Sequence, residues 1–383
     1  MNVKGDRLLM KMKKRLLSIL LSLALVLGLM PAFSMTALAD VTTSSYILTI
    51  PATLTVGNAG WNATDGIRAE MPQGDSFNLK KRVNVTATSA NEWKLKSGEN
   101  TIGYNLASST GDYNSTATPE TWTFWAADLN AGKTSSMGII VDDYSTSPAG
   151  TYQDTVTFTA SVGPIVTPED IGMVIGANWK LYDTAAAAEA ENTTASGIVV
   201  YVGEAGSADS SSSVYYGLAM SLQDAGNGAQ ASVGGNCVTN VNNDVAAAIT
   251  YKNGIENTTH LCTDGHTHTA ASKARNYNVA RPQDASEWFL PSVGQCNLVS
   301  RALVAKAGRT VSDLTGRNNN NLKFEVFNPI ITAAGGISLN TGVSYQTCTE
   351  DGAYSVWTWS PGGRIVPNNR SGHSGCIRPF FAF

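Results

Sequence analysis

The last residues of the chain constrain its fold more than any other stretch, because they end in an apolar run that must be buried. Ile377 to Phe383 read IRPFFAF, and such an ending belongs in a core rather than in a frayed tail. Upstream, Trp357 and Trp359 alternate with small polar residues, which is the period of a strand with one buried face. Residues 366–375, between these anchors, hold almost nothing apolar. The sequence therefore predicts a fixed frame that carries a polar surface.

The composition of this surface allows two interpretations. Tyr and Trp give a large contact area at low entropy cost, while Ser, Gly and Asn adapt their hydrogen bonds, so the stretch is typical of a binding face. The other interpretation is a short hairpin and loop that are polar only because they lie at the surface. Composition alone leaves both interpretations open.

The same stretch resembles the C-terminal region of a known family. The resemblance rests on Y-x-T-x-T-E at residues 345–350, W-x-W at 357–359 and IRP-x-x-AF at 377–383. There the chain is similar to the C-type-lectin-fold variable proteins of bacterial and phage diversity-generating retroelements. In that family, error-prone reverse transcription rewrites adenine-derived codons, so that a fixed lectin-like scaffold displays hypervariable side chains. The chain departs from the family pattern at 346–348 and at 380–381.

This resemblance implies non-covalent ligand capture, without a cofactor and without catalysis. The expected partner is a protein or glycan on another cell, a phage or a host surface. The frame would include Trp288, Trp357, Trp359 and Arg378. The outward-facing, ligand-binding side chains would be Gln346, Asp351, Tyr354, Ser355, Thr358, Ser360, Arg364, Asn368, Asn369, Ser371, His373 and Ser374.

Two further stretches resemble the same family and extend an α+β, C-type-lectin-like domain over residues 170–383. The first runs from residue 171 to 202 and predicts a strand pair, an Ala-rich helix capped by Asp183 or Thr184, and a Val-rich strand. The second is WFLPSVGQ at 288–295, where a serine and a glutamine have the capping-box spacing of a helix start. Both stretches predict packing roles.

Residues 40–163 predict a second, all-β domain. Short Thr- and Val-rich segments separated by Gly, Asn, Asp and Pro favour a sandwich, and SPAGTY at 147–152 resembles immunoglobulin-like modules of bacterial surface proteins. Residues 164–169 contain two prolines and predict a semi-stiff linker. The predicted fold is therefore multidomain: an N-terminal all-β immunoglobulin-like sandwich that acts as a spacer or attachment module, and a C-terminal C-type-lectin-like ligand-binding domain.

Residues 1–39 predict a signal peptide. A basic run at 11–15 precedes an apolar run at 16–29, and Ala-Leu-Ala at 37–39 provides a cleavage site after Ala39. A retained membrane anchor is the alternative, although the apolar run is short for a span of ~20 residues. The leader carries six basic residues and one acid, so the remaining chain has a net charge of −9 and is unsuited to bind nucleic acid. The sequence predicts a secreted or cell-surface protein without a membrane span after cleavage.

Four possible metal ligands lie close together in one loop-like stretch. Imidazole and thiolate are the ligands that zinc prefers, but the spacing matches no ordinary zinc module, and a polar surface loop is the other interpretation. A lectin calcium site is not expected either, because the segment at 366–368 lacks the carboxylate that calcium needs. The four residues are His260, Cys262, His266 and His268.

The chain has five cysteines, so at least one thiol must stay unpaired within a single copy. Exported chains usually pair most of their cysteines, and the pair Cys237–Cys262 is the first expectation because both residues lie in one loop-rich insertion.

Two other function classes remain open at this point. A structural subunit of a pilus or surface layer would pair its N-terminal domain with a partner in the surface structure and would need no ligand site. A metal-dependent enzyme is the second class, because the lectin fold also hosts the formylglycine-generating oxidases. The sequence predicts no enzyme, since it contains no recognisable catalytic set and a fold alone does not assign chemistry.

Overall fold

The structure is a computed structural model of the 383-residue chain. It describes residues 19–25, 33–37, 45–207, 214–229, 244–309, 323–352, 354–362, 365–369 and 374–383. The chain divides into two compact units, Met1–Ile165 and Val166–Phe383. Strands predominate in both, with several helices in the second.

Within the described ranges, no helix is both long enough and apolar enough to span a membrane.

Strands dominate the first unit. In the part of it that the structure describes, they form three four-stranded sheets in the orders β1-β12-β6-β9, β10-β5-β3-β2 and β4-β11-β8-β7, and the short helix α1 (Ala126–Ala131) follows β9. The strands are β1 (Ile19–Leu25), β2 (Phe33–Ala37), β3 (Tyr46–Ile50), β4 (Gly60–Ala63), β5 (Ile67–Glu70), β6 (Lys81–Ser89), β7 (Lys94–Ser97), β8 (Asn100–Ala107), β9 (Thr121–Trp125), β10 (Lys133–Ser135), β11 (Gly138–Val141) and β12 (Asp154–Pro164).

Strands β3, β6, β8 and β9 alternate buried and more exposed residues, as half-buried sheets require. In β6, for example, Val83 and Val85 are buried while their neighbours are not, and they belong to one core cluster with Phe124 and Phe158. The Tyr152 hydroxyl donates a 2.9 Å hydrogen bond to the carbonyl of a residue four positions upstream.

Residues of the predicted leader and of the predicted linker form regular elements in the structure. Strands β1 and β2 lie within residues 1–39, and they pair antiparallel with β12 and β3, respectively. An apolar leader segment and an edge strand have the same composition, so the sequence offers no local signal that separates them. The linker prolines also belong to regular elements: Pro164 ends β12, and Pro168–Asp170 form a 3₁₀ turn.

The second unit combines sheets and helices. In its described residues, two five-stranded sheets have the orders β14-β13-β15-β16-β22 and β17-β21-β18-β19-β20. Its elements are β13 (Val174–Gly176), β14 (Leu181–Tyr182), α2 (Ala185–Ala190), β15 (Ala195–Ser207), β16 (Val214–Met220), β17 (Asn227–Gly228), α3 (Val245–Ala248), α4 (Gly254–Thr263), α5 (Thr269–Arg275), α6 (Val293–Lys306), α7 (Phe324–Ala333), β18 (Tyr345–Gly352), β19 (Ser355–Trp359), β20 (Ile365–Asn369), β21 (Gly375–Cys376) and β22 (Phe380–Ala382).

Two local predictions in this unit are confirmed. The Thr184 side chain accepts a 3.2 Å hydrogen bond from the Ala187 amide and caps α2. At the start of α6, the Ser292 hydroxyl accepts from the Gln295 amide and the Gln295 carboxamide oxygen accepts from the Ser292 amide, which is a complete capping box. The side-chain nitrogen of Gln295, Nε2, also donates a hydrogen bond to the carbonyl of Ala205. The capping box therefore ties the start of α6 to the central strand β15.

Candidate functional site

The C-terminal sheet carries the predicted binding surface. Strand β19 lies between β18 and β20, antiparallel to both, with Trp359 opposite Tyr345 on one side and Ile365 on the other. The last strand, β22, belongs to the other sheet of this unit and pairs with β16, where Phe380 lies opposite Met220. The chain end is therefore built into the neighbouring sheet rather than left in solvent.

Trp359 is the centre of an aromatic cluster beneath this sheet. Its ring lies 4.8 Å from that of Phe324, edge to face, and is stacked on Phe327 at 6.0 Å. The indole Nε1 donates a 2.9 Å hydrogen bond to the Ser300 hydroxyl on α6. Trp357, on the same strand, is buried against residues that include Val293 of α6. One face of β19 is therefore part of the core.

A buried arginine clamps the end of the chain. The Arg378 guanidinium donates from Nε to Asp224 Oδ1 at 2.7 Å, and from its two terminal nitrogens to the carbonyls of Ser221 and Ile337 at 3.1 and 3.0 Å. The Tyr345 hydroxyl donates to the second carboxylate oxygen of Asp224 at 3.1 Å. Burial raises the pKa of Tyr345 to about 12, so this hydroxyl stays protonated at physiological pH. The network joins β18 and the chain end to two loops.

The predicted ligand-binding residues differ in exposure. Tyr354, in the turn between β18 and β19, is 64% exposed, and Ser374 is also exposed. The half-buried members of the set are Asp351, Ser355, Ser360 and Asn368. Arg364, Ser371 and His373 lie outside the described residues, as does the side chain of Asn369.

Gln346 and Thr358 do not face solvent, in contrast to the prediction. They are 1% and 0% exposed, and they lie opposite each other on β18 and β19. The Thr358 hydroxyl donates to the carbonyl of Val366 at 3.0 Å and accepts from the Asn368 amide group at 2.7 Å. Residue alternation assigns a side chain to one face of a strand, but it does not tell whether that face is covered. In this structure both faces of β19 are buried from Trp357 to Trp359.

Within the predicted histidine and cysteine cluster, the rings of His266 and His268 lie edge to face with their centroids 6.3 Å apart. His260 and Cys262 lie on α4, whereas His268 is fully buried with its Nε2 2.9 Å from the Asp264 carboxylate. Among the residues that the structure describes, no group of three or more His, Cys, Asp or Glu side chains could hold a metal ion.

The expected Cys237–Cys262 disulfide is wrong, because Cys262 is an exposed free thiol. Cys237 itself lies outside the described residues. Cys296, Cys348 and Cys376 are buried and free, and burial raises the pKa of the Cys348 thiol. These three thiols behave as small apolar core residues.

An open groove of about 560 Å³ borders the arginine clamp, and sequence reasoning missed it. Its lining includes Asp224, Lys273, Tyr277 and Asn278. These residues come from two separated segments that carry no motif. Only the fold, which brings Asp224 to the chain end, places these polar groups beside the C-terminal sheet.

No protein-family model matches the chain, and no curated protein matches it. The crystal structure of a fimbrial protein from Bacteroides ovatus is similar to it with a TM-score of 0.37 and 12% sequence identity, over 88% of this chain and 85% of that one. A likeness at this level carries no argument about fold or function.

Proposed function

We propose that the protein is an exported, non-catalytic ligand-binding protein that displays variable side chains on a C-type-lectin-like frame. The leader, with its basic run, apolar run and small-residue cleavage site, supports export. The ligand-binding part of the proposal rests on the difference in burial along the hairpin that β18 and β19 form. Trp357 and Trp359 are locked in the core, whereas Tyr354, three residues before the first of them, projects into solvent.

The turn between β18 and β19 has the chemistry of a contact surface. Tyr354 offers a large exposed ring with few rotatable bonds, and Asp351 and Ser355 add a carboxylate and a hydroxyl beside it. Gly352 has φ +140°, and nothing lies within 4 Å of the position where a Cβ would stand, so backbone conformation rather than crowding requires glycine there. The turn therefore places the exposed Tyr354 ring beside the half-buried Asp351 and Ser355. A protein or glycan surface is the matching ligand class.

Replacing Asp351 and Tyr354 together by alanine should abolish binding without unfolding the protein. An exposed aromatic anchor is worth about 2 kcal/mol or more in a binding site, which corresponds to at least roughly thirtyfold in affinity. Loss of the exposed Tyr354 side chain should itself change stability by about 0.5 kcal/mol or less, as is usual at the surface. The probes are a printed glycan array and intact bacterial cells, with thermal unfolding measured in parallel.

Tyr216 provides the matched control. It is a tyrosine of the same unit with nearly equal exposure, 66%, and it lies on β16 in the other sheet. Tyr216→Ala should leave the array profile unchanged. Equal loss with either variant would mean that exposed tyrosines bind non-specifically, and retained binding by the double variant would remove the hairpin turn from the site.

The variable character of the surface has a separate test in DNA. If the surface is diversified by a retroelement, related isolates should differ mainly in the codons of the proposed ligand-binding residues, at positions where a neighbouring template copy has adenine. The codons for Trp357, Trp359 and Arg378 should stay constant, because these side chains are buried. Sequencing the locus and its flanks measures this. Differences spread evenly over residues 345–383 would contradict diversification while leaving ligand binding intact.

A further inference from the structure

The outer edge of β12 depends on the leader. With 11 residues, Asp154–Pro164 is the longest strand of the described part of the first unit. One edge of β12 pairs with β6, and the other pairs with β1 over residues 154–160. Strand β1 lies entirely before the predicted cleavage site at Ala39. Cleavage would therefore leave the backbone N–H and C=O groups along this edge without partners.

Strand β12 lacks the features that normally protect an edge strand. Such edges carry charged residues, prolines, bulges or a very short length, because an unpaired strand is a template for another chain. Residues 155–164 contain no charged residue, and Pro164 stands only at the end. The pairing with β6 runs from Val156 to Pro164 without a register shift. The charge of Asp154 is directed inward, where its carboxylate accepts from the Ser89 and Tyr104 hydroxyls at 2.5 and 2.7 Å.

We propose that leader removal opens this edge and that β12 of a second copy of the chain pairs with it, antiparallel, about a two-fold axis. The proposal goes beyond ligand binding and rests on the predicted cleavage. Two-fold self-pairing is the commonest symmetry of homo-oligomers, and it requires a self-complementary patch. β12 meets this requirement because its uncharged edge brings no like charges together.

The side chains of β12 favour the same partner. Thr155, Thr157 and Thr159 are half-exposed on one face, and threonine pairs across antiparallel strands are favourable. Val156 and Phe158 are buried on the other face, so a second β12 would continue both the polar and the apolar face of the sheet. Strand β3 also loses a neighbour, β2, on cleavage, but it offers only five residues. The longer edge is therefore the proposed interface.

The test uses the exported chain that begins at Asp40, with light scattering after gel filtration over a dilution series. The expected mass is twice that of one chain. Thr157→Lys with Thr159→Lys should give the single-chain mass. The two lysine ammonium groups of each copy would lie close to those of the other copy across the interface, and the like charges would repel each other. The matched control is Thr86→Lys with Thr88→Lys on β6, whose residues lie directly opposite Thr159 and Thr157 and are exposed on the same sheet. The control should keep the doubled mass.

Hydrogen exchange gives a second measurement that does not depend on a folded variant. In the wild-type protein, the amides of residues 154–160 that face the outer edge should be protected at high concentration and should exchange faster on dilution. A single-chain mass for the wild type at every concentration would overturn the proposal. So would a doubled mass in the Thr157/Thr159 variant, or an exported protein whose mass shows that residues 19–25 are retained.

Discussion

Replacing Trp359 by alanine should lower the free energy of unfolding of the second unit by about 3–5 kcal/mol. The side chain is 2% exposed, and it fills the space between β19 and the rings of Phe324 and Phe327. Alanine would leave a cavity that these rings can only partly fill, and the Ser300 hydroxyl would lose its indole donor. Urea unfolding followed by far-UV circular dichroism measures the change.

Two further variants help to interpret this loss. The first separates the effect of the cavity from that of the lost hydrogen bond, and the second is a surface control. Trp359→Phe keeps most of the ring volume but leaves the Ser300 hydroxyl without the indole donor, so its cost should be about 1–3 kcal/mol. Tyr354→Ala, in the turn before the same strand, should change stability by about 0.5 kcal/mol or less. If Trp359→Ala cost no more than Tyr354→Ala, β19 would not belong to the core, and the division between frame and displayed residues would fail.

Local patterns in the sequence predict two parts of the frame, strand β19 and the start of α6. The Trp-x-Trp alternation predicted a strand with one buried face, and β19 buries both tryptophans in the observed structure. The serine and glutamine three residues apart predicted the start of α6. In each case the signal lies within a few residues, because a strand period and a helix cap are set by the backbone itself.

The features that sequence reasoning missed depend on distant parts of the chain. The burial of Thr358 requires both faces of β19 to be covered, and no pattern within the strand reports the second cover. Asp224 lies 154 residues before Arg378, and no sequence motif near either residue predicts that the two pair. Likewise, only the sheet shows that β1, which lies within the predicted leader, pairs with the outer edge of β12. Long-range pairings of this kind lie beyond periodicity and spacing.

Arg378→Met should destabilise the second unit by about 3 kcal/mol, the lower end of the range for breaking a buried ion pair. Arg378 is 1% exposed, but its partner Asp224 is 26% exposed, so water can solvate part of the abandoned carboxylate. The carbonyls of Ser221 and Ile337 would also lose their donors. Arg378→Lys should recover only part of the loss, because an ammonium group cannot reproduce the planar fork of donors that reaches three sites. Urea unfolding again measures the difference.

Lys252→Ala is the matched control, because it breaks a more exposed ion pair of the same unit. The Lys252 Nζ lies 3.8 Å from the Glu204 carboxylate, the two side chains are 31% and 67% exposed, and pairs at the surface contribute about 1 kcal/mol or less. If Arg378→Met were as mild as this control, the chain end would not be clamped to the two loops. The exposed groups of the β18–β19 turn would then stand on a mobile base, and binding through them would lose the preorganisation on which tight capture depends. Comparing ligand binding by Arg378→Met at a temperature where it remains folded therefore tests whether the clamp serves display as well as stability.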